Sequence, residues 1–200
     1  MAQLLEAPTY PVAGEVTLDR QRAAVIVVDM QNDFVKPQGK LYVPGAQEAA
    51  AALARLLARA RTAGVPVIYT QDQHGVSDPE YRIWGEHVQA GTWGVEIIEE
   101  LAPQAGDEVI QKPRYDAFYA SRLEDVLRTR PTVDTLVIGG VVTNICVLHT
   151  AGSAALRWYK VIVPQDGVAA LSAFDQTAAL HQIDFLYKGT ITTVDAVRFV

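Results

Sequence analysis

The chain carries a single cysteine among its 200 residues. An internal disulfide is therefore excluded, and Cys146 is left as a free thiol, either a reactive group or a small buried apolar one. Histidines are scarce too, four in all, and no window accumulates lysine and arginine. With 17 basic against 23 acidic side chains the formal charge is −6, so the cationic surface that a nucleic-acid partner requires is missing. No apolar run approaches the roughly 20 residues of a membrane-crossing helix. Met1–Gly14 has neither the basic start nor the apolar stretch of an export signal. These absences predict a cytoplasmic protein with a small-molecule partner and no contact with membrane or nucleic acid.

What is present is apolar mass in a regular alternation. Half of the residues are hydrophobic, enough for one domain over residues 1–200, with 1–20 as an N-terminal extension. Ala23–Val28 (AAVIVV), Pro66–Thr70, Glu108–Gln111, Thr135–Ile138, Val161–Pro164 and Thr190–Val194 have the short, continuous apolar character of strands covered on both faces. Helical periodicity occupies Ala46–Ala63, Ser121–Arg128, Asn144–Trp158 and Ala173–Tyr187. In the first of these Leu53, Leu56, Leu57 and Ala60 share one face, and Gly64 and Pro66 close the helix. Repeated strand–helix units predict an α/β fold, a six-stranded parallel sheet with helices on both faces.

In such sheets ligands bind beyond the carboxyl ends of the strands. Four groups fall there: Asp29, the Asp72/His74 pair, Lys112, and Gly139–Cys146. Cys146 stands between a strand and the following helix, where free backbone N–H groups favour a thiolate and could hold an oxyanion. Asp29 and Lys112 end strands whose interiors are apolar, and charges placed there are costly unless paired. Taken singly, Asp29 could be a turn carboxylate and Lys112 a solvated strand end. Gln71–Gly94 is a long irregular stretch rich in Gly, His, Asp and Trp, and a loop of that length in a compact domain is usually functional or disordered. Asp72, His74 and His87 are metal-ligand types, although by spacing alone they could equally be loop side chains.

Three segments carry a resemblance. Asp29-Met30-Gln31-Asn32-Asp33-Phe34, Lys112 ahead of Tyr115-Asp116-Ala117-Phe118, and Gly140-Val141-Val142-Thr143-Asn144-Ile145-Cys146-Val147 resemble, in order, the three motifs of the isochorismatase-like cysteine hydrolases. The resemblance implies a three-layer αβα sandwich and an Asp29–Lys112–Cys146 triad. It also implies a cis peptide at Val141–Val142, with the amides of Val142 and Cys146 as oxyanion hole. Asp72-x-His74, Trp84-x-x-His87 and Gly91-Thr92-Trp93-Gly94 are similar to the metal loop of nicotinamidases, where the ion receives the pyridine nitrogen of the substrate. That likeness implies a divalent ion, zinc first with manganese and iron open, on Asp72, His74 and His87, and Glu80 is the best substitute for a further ligand. It also implies Phe34, Trp84 and Tyr119 as walls of a ring pocket, with Tyr115 and Phe118 left to core packing. The loop departs from the usual form at Gln73, Gly85 and Val88, and the downstream helix at Ser153. The expected activity is nicotinamide hydrolysis through a thioester, by a homo-oligomer. The alternatives are hydrolysis of another small amide or a carbamoyl or ureido compound, and a binding relative without catalysis.

Overall fold

The computed structural model describes residues 6–200, so the start of the expected N-terminal extension, residues 1–5, lies outside the described residues. In chain order the strands are β1 (Val16–Leu18), β2 (Ala23–Val28), β3 (Val67–Asp72), β4 (Glu108–Lys112), β5 (Thr135–Val141), β6 (Lys160–Pro164), β7 (Val168–Ala169), β8 (Thr190–Thr192) and β9 (Val197–Phe199). The helices are α1 (Asn32–Val35), α2 (Ala46–Ala63), α3 (Tyr81–Trp84), α4 (Leu123–Arg128), α5 (Leu148–Leu156) and α6 (Ala173–Tyr187).

The central sheet is parallel throughout and runs β4-β3-β2-β5-β6-β8. It has seven strands rather than six, because β7 adds beside β5 through Gly140↔Val168 and Val141↔Ala169. A two-residue strand is too short to leave a pattern in sequence. A second parallel pair, β1 with β9, joins the N-terminal extension to the C-terminal segment. Every residue of β2 is buried, and its side chains alternate between two cores, as the pleat requires. Ala23, Val25 and Val27 face the α2 side with Leu53, Leu56 and Leu57. Ala24, Ile26 and Val28 face the opposite core with Leu123, Val147 and Leu180. This is the expected α/β arrangement of a sheet between two helical layers.

The chain moves outward through β2, β3 and β4, and then returns to the other side of β2 with β5. The carboxyl ends of β2 and β5 therefore flank the reversal, where the crevice of a doubly wound sheet opens. Close approach there depends on Gly140, whose φ is +124° and whose hypothetical Cβ would stand 2.0 Å from Val28 O. Gly140→Ala is expected to destabilise the fold by about 3 kcal/mol, from steric overlap with ladder backbone and an unfavourable φ. Urea denaturation of variant and parent measures it, and an unchanged midpoint would refute the packing argument.

Candidate active site

Asp29 follows β2 at a backbone φ of +51°, a left-handed bend that aspartate tolerates better than most residues. Its Oδ1 accepts from Thr70 Oγ1 at 2.6 Å, and its Oδ2 lies 2.8 Å from Lys112 Nζ. Lys112 ends β4, which extends one residue beyond its predicted span and pairs Lys112 directly with Asp72 in register. Its ammonium is 3.3 Å from Asp72 Oδ1, donates to Arg114 O at 2.9 Å, and lies 3.6 Å from Cys146 Sγ. Asp29, Lys112 and Cys146, the first and last of which are 117 residues apart in the chain, thus meet in one buried cluster.

The cysteine sits on a widened helical turn, Thr143–Val147, with i→i+5 bonding. The expected helix from Asn144 is therefore divided, its regular part beginning only at Leu148. Val142 O accepts from both Ile145 N and Val147 N, folding the turn back over the end of β5. The Val141–Val142 peptide is cis.

Burial and charge set the protonation states. Burial raises the Asp29 carboxyl above its ordinary range, with Lys112 pulling the other way. Burial draws the Lys112 ammonium down, but Asp29, Cys146 and Asp72 outweigh it and the net direction is upward. The Cys146 thiol is raised well above its usual value, first by burial and then by the neighbouring carboxylates, against the pull of Lys112. Burial thus shifts both the Cys146 thiol and the Asp29 carboxyl toward their protonated forms, and an Asp29 carboxylate in this setting is a stronger base than an exposed one.

Next to this cluster, Asp72, His74, Glu80 and His87 are all buried and can each offer one donor atom, all within 4.8 Å of one another. His74 Nε2 is 3.3 Å from Asp72 Oδ2 and 3.9 Å from Glu80 Oε1. His87 Nδ1 lies 2.8 Å from Gly85 O; with the proton there, its Nε2 is free to act as a donor to a cation. Asp72 Oδ1, which has Lys112 only as a charge neighbour, and both ring nitrogens of His74 are buried without a hydrogen-bond partner; at Asp72 and His74 Nε2 a bound cation would relieve that condition. Burial lowers His87, whereas for His74 the Asp72, Glu80 and Asp78 carboxylates overcome the downward effect of burial. The donor set of two imidazoles and two carboxylates fits zinc, manganese or iron.

A cavity of about 250 Å³ connects Cys146 with Asp72, Glu80 and His87, a space for a small molecule rather than a peptide. Phe34 and Trp84 line it, Phe34 lying 6.1 Å from the His87 ring. Tyr119 does not: it is 59% exposed, and the aromatic wall is supplied by Tyr115. This corrects the expectation for both tyrosines. Trp84 Nε1 donates to Tyr115 Oη at 2.8 Å, so the two rings form one wall. Ser153 donates to Asp116 Oδ2 at 2.5 Å and braces the same segment from α5. Thr70, beside Asp29, is a polar support with no motif around it, and Gln31, inside the Asp29–Phe34 motif but with no role expected of it, bridges Asp72 to Val95 O.

An isochorismatase-domain family model matches residues 23–196. The chain is 31% identical over 205 residues to the ureidoacrylate amidohydrolase RutB of Azorhizobium caulinodans, covering 89% of this chain and 90% of the relative. To its namesake from Caulobacter segnis it is 34% identical over 207 residues, covering 90% and 86%. Among solved structures, N-carbamoylsarcosine amidase from Thermoplasma acidophilum superposes with a TM-score of 0.80 at 37% identity, over 87% of this chain and 97% of that one. The pyrazinamidase/nicotinamidase of Streptococcus mutans does so with a TM-score of 0.80 at 34% identity, over 84% and 99%. Among the described residues no helix is long and apolar enough to cross a membrane.

Proposed function

The chain belongs to the isochorismatase-domain family, and from that premise we propose that it is a cysteine-dependent amidohydrolase that converts nicotinamide to nicotinate and ammonia. The observation that carries this reading is the cavity joining the Cys146 sulfur to the Asp72, Glu80 and His87 donors between aromatic walls. A flat heteroaromatic amide has an acyl carbon for one end and a ring nitrogen for the other. A divalent ion held by Asp72, His74, Glu80 and His87, with zinc the first choice, would supply a Lewis-acid contact for that nitrogen. Phe34, Trp84 and Tyr115 would hold the ring plane.

Asp29 accepts the thiol proton as Cys146 Sγ attacks the carboxamide carbon. Lys112 keeps the forming thiolate and the carboxylate together. The backbone N–H groups of Val142 and Cys146 receive the negative oxygen of the tetrahedral adduct, a class of contact worth about 10²–10³ in kcat elsewhere. Collapse breaks the C–N bond, and Asp29 returns its proton to the departing ammonia. Water, deprotonated by Asp29, then cleaves the thioester, giving the acid and restoring the thiol. The sum is one amide and one water to one acid and one ammonia.

A second reading, hydrolysis of a ureido or carbamoyl acid, is favoured by the names of the curated relatives. Such a substrate carries a carboxylate and needs a free cation. Lys40 lines the cavity but is 3.0 Å from Glu86, and Lys112 already faces Asp29 and Asp72. The neutral amide suits this balance better. Ammonia release from nicotinamide, N-carbamoylsarcosine and ureidoacrylate, measured side by side, tests it; turnover of only the two acids would replace the first reading with the second. Within the first, His87→Ala is expected to raise KM for nicotinamide roughly 10–100-fold, the scale of a disturbed metal site, with a much smaller change in kcat. Steady-state kinetics check this, and a loss confined to kcat would remove His87 from substrate holding.

A further inference from the structure

The donor set at the cavity floor is itself held from outside. Asp78 lies four residues beyond His74, and its Oδ2 is 3.2 Å from His74 Nδ1, on the side of the imidazole away from Asp72 and Glu80. Arg114, reached through the turn after β4, places one guanidinium nitrogen, Nη1, 3.0 Å from that same Asp78 oxygen and 3.6 Å from Glu80 Oε2. Glu80 thereby has one oxygen toward Arg114 and the other, Oε1, toward His74 Nε2. Neither Asp78 nor Arg114 lines the cavity.

We infer that Asp78 and Arg114 are positioning residues for metal binding, an inference that rests on the metal reading above. The Asp78 carboxylate stands 3.2 Å from Nδ1 as a charge contact without hydrogen-bond geometry, and that charge favours the tautomer with the proton on Nδ1 and Nε2 as the donor turned to the cluster. Its negative charge also raises the basicity of the ring. Arg114 holds Asp78 in that place, and by occupying Glu80 Oε2 it leaves Oε1 to complete the set. Since Lys112 Nζ donates to Arg114 O, the segment that carries the ammonium of the triad also braces the metal loop. Two centres brought together by separate strands share one support.

Asp78 has a second task that the test must separate: its Oδ1 accepts from Glu80 N at 2.9 Å and closes a local turn. Asp78→Asn keeps an oxygen for that turn but removes the charge facing His74, whereas Asp78→Ala removes both. Arg114→Gln leaves the turn intact. The experiment strips the full-length protein and its variants of metal, then titrates Zn²⁺ against a chromophoric chelator to obtain dissociation constants. Co²⁺ titration follows the ligand-field bands as a second readout, and circular dichroism of the metal-free forms checks folding. Asp78→Asn is expected to weaken Zn²⁺ binding about 10–100-fold, the typical effect of removing a carboxylate partner of a ligating histidine. Arg114→Gln is expected to weaken it in the same direction, and both variants should alter the Co²⁺ bands. Parent-like Zn²⁺ affinity in both Asp78→Asn and Arg114→Gln would overturn the inference while leaving the metal site standing. A parent chain that binds neither ion would overturn the metal reading and this inference together.

Discussion

Cys146→Ala is expected to abolish ammonia release, with a fall in kcat on the order of 10⁴–10⁶, the scale seen when the nucleophile of a hydrolytic triad is removed. The expectation follows from what surrounds the sulfur. Cys146 is the only cysteine of the chain, so no second thiol can substitute. The nearby hydroxyl of Thr143 is engaged with Gln176 at 2.6 Å. Burial pushes the thiol toward its protonated form, so activation draws on Asp29 as the proton acceptor. Removing one sulfur leaves the aromatic walls and the Asp72/His74/Glu80/His87 cluster in place, so nicotinamide should still bind, within a few-fold of the parent, by calorimetry. The combination of intact binding and absent turnover distinguishes covalent catalysis from two rivals. A water route through the metal would retain substantial activity in the variant. A binding protein without catalysis would show none in the parent either.

The sequence carried the elements whose signal is local. Ala23–Val28 coincides with β2, since an unbroken six-residue apolar run is what a strand covered on both faces requires. Ala46–Ala63 coincides with α2, because its apolar stripe and the glycine beyond it mark both face and end. The meeting of Asp29, Lys112 and Cys146 was legible for a topological reason: in a parallel sheet every strand delivers its carboxyl end to the same edge. What escaped depends on contacts without local trace. The β1/β9 pair joins residues from opposite ends of the chain. The exchange of Tyr119 for Tyr115 falls in the irregular segment between β4 and α4, where no periodic pattern tells which ring faces the cavity. The division of the helix at Thr143–Val147 arises where two N–H groups share Val142 O, while the apolar pattern continues across it. Asp78 and Arg114 meet across 36 residues, and each, met singly in the sequence, is an ordinary surface charge.

Lys112→Met is expected to be the most destabilising of the substitutions considered. The side chain is fully buried and is the cation common to Asp29 and Asp72. Methionine fills nearly the same volume, so the loss is electrostatic rather than a cavity. Breaking a buried pair by removing one partner typically costs about 3–5 kcal/mol because the remaining charge is uncompensated. For a chain of this length that corresponds to a drop in Tm of roughly 10 °C or more. The pH dependence supplies the sign. Burial already raises Asp29 in the parent, against the lowering effect of Lys112; without the lysine it rises further. A carboxyl whose folded pKa exceeds its unfolded one favours the fold when protonated, and that advantage disappears as pH climbs from the unfolded value through the folded one. The stability gap between parent and variant should therefore be narrow near pH 4–5 and widen toward pH 8, as read by urea denaturation at each pH. Asp29→Asn in the Lys112→Met background removes the stranded charge, and should recover part of the lost stability at pH 8 but none of the activity. A gap independent of pH, or a double variant no more stable than the single one, would mean that Lys112 supports the fold by packing and that the buried ion pair contributes little to it.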